Sequence, residues 1–373
     1  MSSRLLASLK LSQLKHAAFL TGLPSTGTKA DIIAVLSSHA SSGVSTSTGG
    51  GRIVSVDMGI RNLAYCVLDV PALHPFHADG NKRTPLKVLD WRKIDLIHHT
   101  GKSQEPESSS GGGGEDNQTK PATTPRTKKR VPPIPASIFA PSQLSKTAYT
   151  IAKDLLRHNP TTILIERQRF RSGGGAAIQE WTVRVNMLES MLWACLRTLR
   201  ENSPTARQFP AVHEVNPARV ANFWVSDPAG STLHLTAETF AAGSESQAKP
   251  APNKSLSARK RIQKKDKIGV VRSWLHSHGS NNNDSNKNPG ISLAFEGEAA
   301  EVAKAFSASS TRSPPGGSGK GGMAAAAAAA GDVAERARKL DDLADCLLQA
   351  AAWVRWGQNR GGLADLVVSG KGG

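Results

Sequence analysis

Carboxylates set inside apolar runs are the residues of this chain whose type and spacing point to chemistry. Asp57 follows Ile53-Val54-Ser55-Val56 and precedes Met58-Gly59. Glu166 ends the run Thr162-Ile163-Leu164-Ile165. Asp341, Asp342 and Asp345 lie within Lys339-Leu340-Asp341-Asp342-Leu343-Ala344-Asp345-Cys346. A buried carboxylate is costly unless something compensates its charge. Like charges gathered in one place add to the cost. A divalent cation held between them removes both penalties. Mg²⁺ suits the part, because it takes carboxylate oxygens and keeps several waters. Two such ions ~4 Å apart polarise a water and stabilise a leaving oxygen, which is what phosphodiester hydrolysis needs. On one helix, Asp342 and Asp345 are three residues apart, and Asp341 and Asp345 four apart. Either pair shares a face, so both choices stand. Leu340, Leu343, Leu347 and Val354 are the expected packed stripe beside them.

The rest of the chain suits a phosphate-rich substrate. It has 373 residues and a formal net charge of +17, which points to nucleic acid before an anionic membrane. Hydrophobic residues make up 38%, so part of the chain stays outside any packed core. Cys66, Cys195 and Cys346 sit among apolar neighbours with no C-x-x-C pair. They read as reduced, buried thiols, neither disulfides nor zinc ligands. No apolar run reaches the ~18 residues of a membrane helix. The first thirty residues carry Arg4, Lys10, Lys15 and Lys29 and no acid. That composition fits a mitochondrial presequence or a folded basic unit.

The elements that must position these groups follow from periodicity. Residues 4–40 read as two helices around the turn Thr21-Gly22-Leu23-Pro24-Ser25-Thr26-Gly27-Thr28-Lys29. That layout resembles a SAP-type DNA-binding module, and residues 41–51 read as its linker. Strands are expected at Arg52–Met58, Leu63–Val70 and Leu86–Ile94. A helix at Pro141–His158 and an apolar strand at Thr161–Glu166 follow. A long amphipathic helix, Ala176–Glu201, carries Trp181, Met187, Leu188, Met191, Leu192 and Trp193. Those residues read equally as a dimer face or as core. A strand at Ala211–Val215, a helix start at Pro217–Trp224, a basic helix at Ser257–Leu275 and a last helix at Asp332–Trp356 complete the order. Low-complexity insertions are expected at about 100–135, 226–253 and 278–331, and a flexible tail at 358–373. A three-strand meander followed by helix, strand, helix, strand and helix is the order of an RNase H-like mixed sheet flanked by helices. The catalytic domain then spans 52–357.

Three runs carry a more specific resemblance: Asp57-Met58-Gly59-Ile60-Arg61-Asn62-Leu63-Ala64, Ile165-Glu166-Arg167-Gln168, and Lys339-Leu340-Asp341-Asp342-Leu343-Ala344-Asp345. They resemble the fungal mitochondrial Holliday junction resolvases, a RuvC-like branch of the RNase H superfamily. The SAP-like unit fits the same family. The resemblance implies a Mg²⁺-dependent homodimer, with Mn²⁺ as a substitute, that cuts four-way junctions in mitochondrial DNA by paired symmetrical nicks. It implies Asp57, Glu166 and Asp345 as catalytic metal ligands, together with Asp341 or Asp342. No small-molecule cofactor and no membrane enter the scheme.

Arg167, Arg169 and Arg171 alternate after Glu166 and lead into Gly173 to Gly175 before a helix, where backbone N–H groups favour anions. With Arg61, Gln168, Lys29, Lys260, Arg261, Lys264 and Lys265 they form the expected DNA-contacting set. Backbone contacts of this kind fix position without reading sequence. Gly316 to Gly321 lacks the spacing and the hydroxyl of a phosphate loop. His74 and His77 read as a surface turn. Two rival readings remain: a non-catalytic junction-binding or architectural protein, and an RNase H-like nuclease acting on RNA or a hybrid. Filled carboxylate positions argue against the first, and the SAP-like unit against the second.

Overall fold

A computed structural model describes residues 3–41, 50–72, 84–96, 136–168, 176–204, 208–226, 262–277, 291–308 and 340–369. Three helices open the chain: α1 (Ser3–Ser8), α2 (Leu11–Leu20) and α3 (Lys29–Ser41). The α3 start is capped reciprocally. Thr28 N–H donates to Asp31 Oδ2 at 2.9 Å, and Asp31 N–H donates to Thr28 Oγ1 at 3.3 Å. The bonds from the Thr28 backbone and hydroxyl hold Asp31 below the usual carboxylate range.

Strands β1 (Gly51–Asp57), β2 (Leu63–Val70) and β3 (Thr84–Ile94) then form an antiparallel meander. At the turn after β1, a Cβ on Gly59 would lie 2.9 Å from the Asn62 carbonyl oxygen. A larger residue would open that turn. Pro141 opens α4 (Pro141–Arg157) at a first-turn position that needs no N–H. Next come β4 (Thr162–Glu166), α5 (Ala176–Glu201) and β5 (Ala211–Val215). Asn216 caps α6 (Pro217–Ala221) by accepting from Ala218 N–H at 2.9 Å. The chain ends with α7 (Lys264–Ser277), β6 (Ile291–Phe295), α8 (Gly297–Ala308) and α9 (Leu340–Ser369).

The sheet order is β5-β4-β1-β2-β3-β6, with β4 parallel to β1, β5 parallel to β4, and β6 parallel to β3. The expected RNase H-like mixed sheet is therefore present, with one more strand at its edge. On one face α9 crosses β1 to β4, and α7 and α8 pack nearby. The N-terminal helices join the same core: Leu6, Leu14, Leu20, Ile32 and Leu36 belong to one buried cluster with Trp356 and Leu363. On the other face α4 and α5 cover Val54, Val56, Ile163 and Ile165. Leu188 and Leu192 of α5 are buried there, with Trp181, Met191 and Trp193 packed against them. Most of the apolar run considered as a dimer face is thus engaged as core. No helix among the described residues is long and apolar enough to cross a membrane.

Two regions differ from the sequence-based expectation. Residues 278–331 read as an insertion, yet β6 and α8 lie inside it. Ile291 to Phe295 pairs with Thr84 to Val88, and Phe306 stacks on Trp91 at 5.3 Å. The apolar content of this region is short and flanked by polar tracts, so periodicity hides it. The tail from 358 also reads as loose, whereas α9 runs on to Ser369. Gly357, Gly361 and Gly362 weaken helix propensity, but tertiary bonds outweigh it. Asn359 Nδ2 donates to the Leu20 carbonyl at 2.7 Å and Arg360 Nε to the Thr21 carbonyl at 3.0 Å. The insertions at about 100–135 and 226–253 fall outside the described residues apart from Ser226, as do 42–49 of the linker and the expected helix starts at Ser257 and Asp332.

Candidate metal centre

Asp57 and Glu166 rise from adjacent parallel strands. Val56 stands opposite Ile165, so the next residue of each strand brings the two carboxylates side by side. Ile53 and Leu164 face the α9 side, while Val54, Val56, Ile163 and Ile165 face away. Two-residue alternation puts Asp57 and Glu166 on the α9 face as well. There α9 supplies Asp345. One oxygen from each of Asp57, Glu166 and Asp345 lies within 4.8 Å of the others.

The electrostatics follow from this crowding. Burial first, then the negative charges of Glu166, Asp345 and Asp342, push the Asp57 carboxyl well above the usual range. Burial also raises Asp345, against the opposing pull of the Lys267 ammonium. Asp342 therefore acts on Asp57 from three residues before Asp345, on the same helix face. Asp341 forms an ion pair with Lys264 of α7 and adds its charge to the raising of Asp345. A second lysine of α7, Lys267, forms an ion pair with Asp345, with both side chains only about one-fifth exposed (20% and 19%).

An all-oxygen donor set with surplus negative charge fits a hard divalent cation. Asp57, Glu166 and Asp345 would hold it, with Asp342 the next acid in reach. Bound there, it would supply Lewis acidity and a water of lowered pKa. The chain's own contribution is to gather these charges on a rigid sheet and helix. Lys264 and Lys267 of α7 set positive charge beside them.

Residues 53–363 match the family described as "Mitochondrial resolvase Ydc2 / RNA splicing MRS1". The chain belongs to this family. It is a mitochondrial family of DNA-cutting enzymes whose description also takes in an RNA-splicing protein. A relative from Schizosaccharomyces pombe, "Cruciform cutting endonuclease 1, mitochondrial", is 29% identical over 223 residues, which is 59% of this chain and 69% of that protein. The crystal structure of the yeast mitochondrial Holliday junction resolvase Ydc2 superimposes with a TM-score of 0.50 at 20% identity. That match covers 96% of this chain and 99% of the other, and it bears out the fold.

Among the described residues, the other expected site residues lie on several separate elements. Arg61 is exposed in the turn after β1. Arg167 N–H donates to the Val215 carbonyl at 2.9 Å, and its guanidinium lies 3.6 Å from Glu214. Gln168 N–H donates to Glu189 Oε2 at 3.3 Å. Lys265 is exposed on α7. Lys264 faces Asp341, and Lys29 Nζ donates to the Ala7 carbonyl at 2.8 Å within the N-terminal unit. Arg169, Arg171, Lys260 and Arg261 fall outside the described residues.

Three further residues near the centre emerge from the structure. Lys267 lies within the basic helix expected at Ser257–Leu275, and nothing local marks it as a partner for Asp345. Glu189 and Gln349 did carry a signal. Each is a polar residue inside an apolar helical stretch, Met187-Leu188-Glu189 and Leu347-Leu348-Gln349-Ala350. That is the same anomaly that marks Asp57. Glu189 anchors the loop after Glu166, and burial raises its carboxyl.

Proposed function

We propose that this protein is a Mg²⁺-dependent endonuclease, active also with Mn²⁺, that resolves four-way DNA junctions by paired symmetrical nicks as a homodimer. The observation that carries the reading is the convergence of Asp57, Glu166 and Asp345 within 4.8 Å. A protein that only binds nucleic acid has no use for it. Crowded carboxylates raise the cost of ionising one another, and Lys267 offsets that on one flank only, which favours a bound cation. The net charge of +17 suits a polyanionic substrate, and the names of both relatives indicate junction or cruciform DNA. Two copies would set two centres across a junction, so that paired nicks leave ligatable duplexes.

Asp57, Glu166, Asp345 and Asp342 are the proposed ligands and catalytic residues. Asp341 is placed second because Asp342, and not Asp341, is among the charges that act on Asp57. Arg61, Arg167 and Lys265 are proposed backbone contacts. The RNA-splicing branch of the family description suggests a rival reading, in which the fold binds structured RNA without cutting. The carboxylate centre weighs against it.

The deciding experiment incubates purified protein with a synthetic four-way junction and Mg²⁺, beside linear duplex, RNA–DNA hybrid and the Asp57→Asn variant. Paired symmetrical nicks on the junction alone, absent from the variant, support the proposal. Tight binding without nicks from either protein supports an architectural role. Cutting of the hybrid in preference to the junction would move the reading to RNA.

A further inference from the structure

Asp342 and Asp345 serve the centre only if α9 sits on the sheet at one height and one rotation. Apolar packing sets the buried side of the helix but does not by itself choose which neighbouring turn stands opposite Asp57. Beside the centre the buried side chains of α9 are small or medium, among them Ala344, Leu347, Ala350 and Ala351, while the bulky Trp356 lies further along the helix, against Phe223. Hydrophobic side chains of about the right size secure a fold before they secure one exact arrangement. Directional bonds specify position better.

Such bonds are present in an ordered row. Ser55, Cys66 and Trp91 are cross-strand neighbours on β1, β2 and β3, and all three touch α9. Gln349 Nε2 donates to Ser55 Oγ at 3.0 Å and to the Val56 carbonyl at 3.3 Å. Cys66 Sγ donates to the Cys346 carbonyl at 3.2 Å. Trp91 Nε1 donates to the Leu343 carbonyl at 3.0 Å. The anchor points on α9 are therefore residues 343, 346 and 349, three apart, with Asp345 among them and Asp342 just before. All six side chains in the row are buried; Ser55 is 0% exposed and Gln349 2%.

The spacing along the two elements matches. Ser55 and Asp57 lie on one face of β1, about 6.6 Å apart along the strand. Asp345 and Gln349 lie on one face of α9, about 6 Å apart along the helix. The bond from Gln349 to Ser55 and the approach of Asp345 to Asp57 are thus met together by one placement of α9. A slip of one residue would rotate the helix by about 100° and carry Asp345 away from Asp57. A leucine at 349 would fill the same space without desolvating an amide. The polar group is better explained by register than by stability.

We propose that Gln349, bonded to Ser55 and Val56, is a positioning residue for the metal centre, and that Cys66 and Trp91 complete the row. This rests on the metal-centre reading given above. The test is calorimetric titration of Mn²⁺ and of Mg²⁺ into metal-free full-length protein, with melting curves alongside. Gln349→Met keeps an unbranched side chain of similar length and should fold. The expected result is about tenfold weaker metal binding with a Tm close to wild type. Turnover on a junction should fall while junction affinity stays unchanged. Ser55→Ala should weaken metal binding in the same direction, and the double variant should add little, as bonded partners do. If Gln349→Met fails to fold, Ser55→Ala decides. Wild-type metal affinity in both variants overturns the proposal, as does a lowered Tm with unchanged affinity. A wild-type protein that takes up neither metal overturns the metal-centre reading itself.

Discussion

Lys267 of α7 and Asp345 of α9 form an ion pair at the edge of the carboxylate centre, 78 residues apart in the sequence. The ammonium occupies one flank of a carboxylate that also faces Asp57 and Glu166. It therefore compensates part of the negative charge in the absence of metal and competes with a metal for the same oxygens.

Lys267→Met is expected to separate those two roles. Metal-free protein should melt at a lower temperature, because a partly buried acid loses its partner. Metal binding should tighten by roughly two- to fivefold, the worth of a partly exposed pair. Calorimetry and melting curves on the same preparation check both. Unchanged metal affinity would show that Lys267 does not compete.

Asp57 makes a prediction about pH. Its folded-state pKa is raised by burial and by Glu166, Asp345 and Asp342, so folding favours the protonated form. That stabilisation is fully present below the unfolded value, near 3.8. It is lost as pH rises through the raised folded value. Metal-free wild type should therefore lose Tm relative to Asp57→Asn as pH is raised from about 4. Asp345 adds to the trend with the same sign. Added Mg²⁺ should restore Tm most at the higher pH, because it binds the ionised acids. Asp57→Asn should also cut no junction while binding it normally. A constant Tm difference between the two proteins across pH would sink the argument.

The centre was legible in the sequence because each acid broke a local rule. Asp57 and Glu166 are charges at the ends of apolar strands, and Asp342 and Asp345 share a helix face next to the apolar run Leu343, Ala344, Leu347 and Leu348. The meander and the central helices were legible for the same reason, since their apolar periods are clean. What stayed hidden depends on contacts between distant segments. β6 is five residues long and gains its place only by pairing with β3. The end of α9 contains three glycines and holds its helix through Asn359 and Arg360 bonds to the N-terminal unit. Lys267 reaches Asp345 only because α7 lies against α9, which no spacing within either helix reveals.

Junction binding should be strongly salt-dependent. Each phosphate contact releases counterions, so affinity falls steeply as salt rises. Arg167→Gln should weaken binding to junctions of any sequence and reduce the log–log salt slope by about 1. Fluorescence anisotropy at several salt concentrations measures both. An unaltered slope would assign Arg167 to its Glu214 contact alone.

The N-terminal unit shares a core with the catalytic sheet, and Gly22 tests how firmly. Gly22 has φ +69°, and a Cβ there would lie 2.2 Å from the Trp356 ring. Phe223 links the two sides, 5.6 Å from Phe19 and 5.7 Å from Trp356. The carbonyls of Leu20, Thr21 and Gly22 accept from Asn359, Arg360 and, at 3.4 Å, Arg219. Gly22→Ala adds left-handed backbone strain of about 1 kcal/mol and overpacking of about 1–3 kcal/mol. If the unit and the sheet unfold together, that loss lowers the single Tm of the whole protein. A tethered module would behave differently: its own transition would move, and the catalytic domain would keep its melting temperature. Differential scanning calorimetry of Gly22→Ala beside wild type distinguishes the cases. A second, unshifted transition would show that residues 4–40 are an independent domain, despite the buried contacts of Leu14 and Leu20.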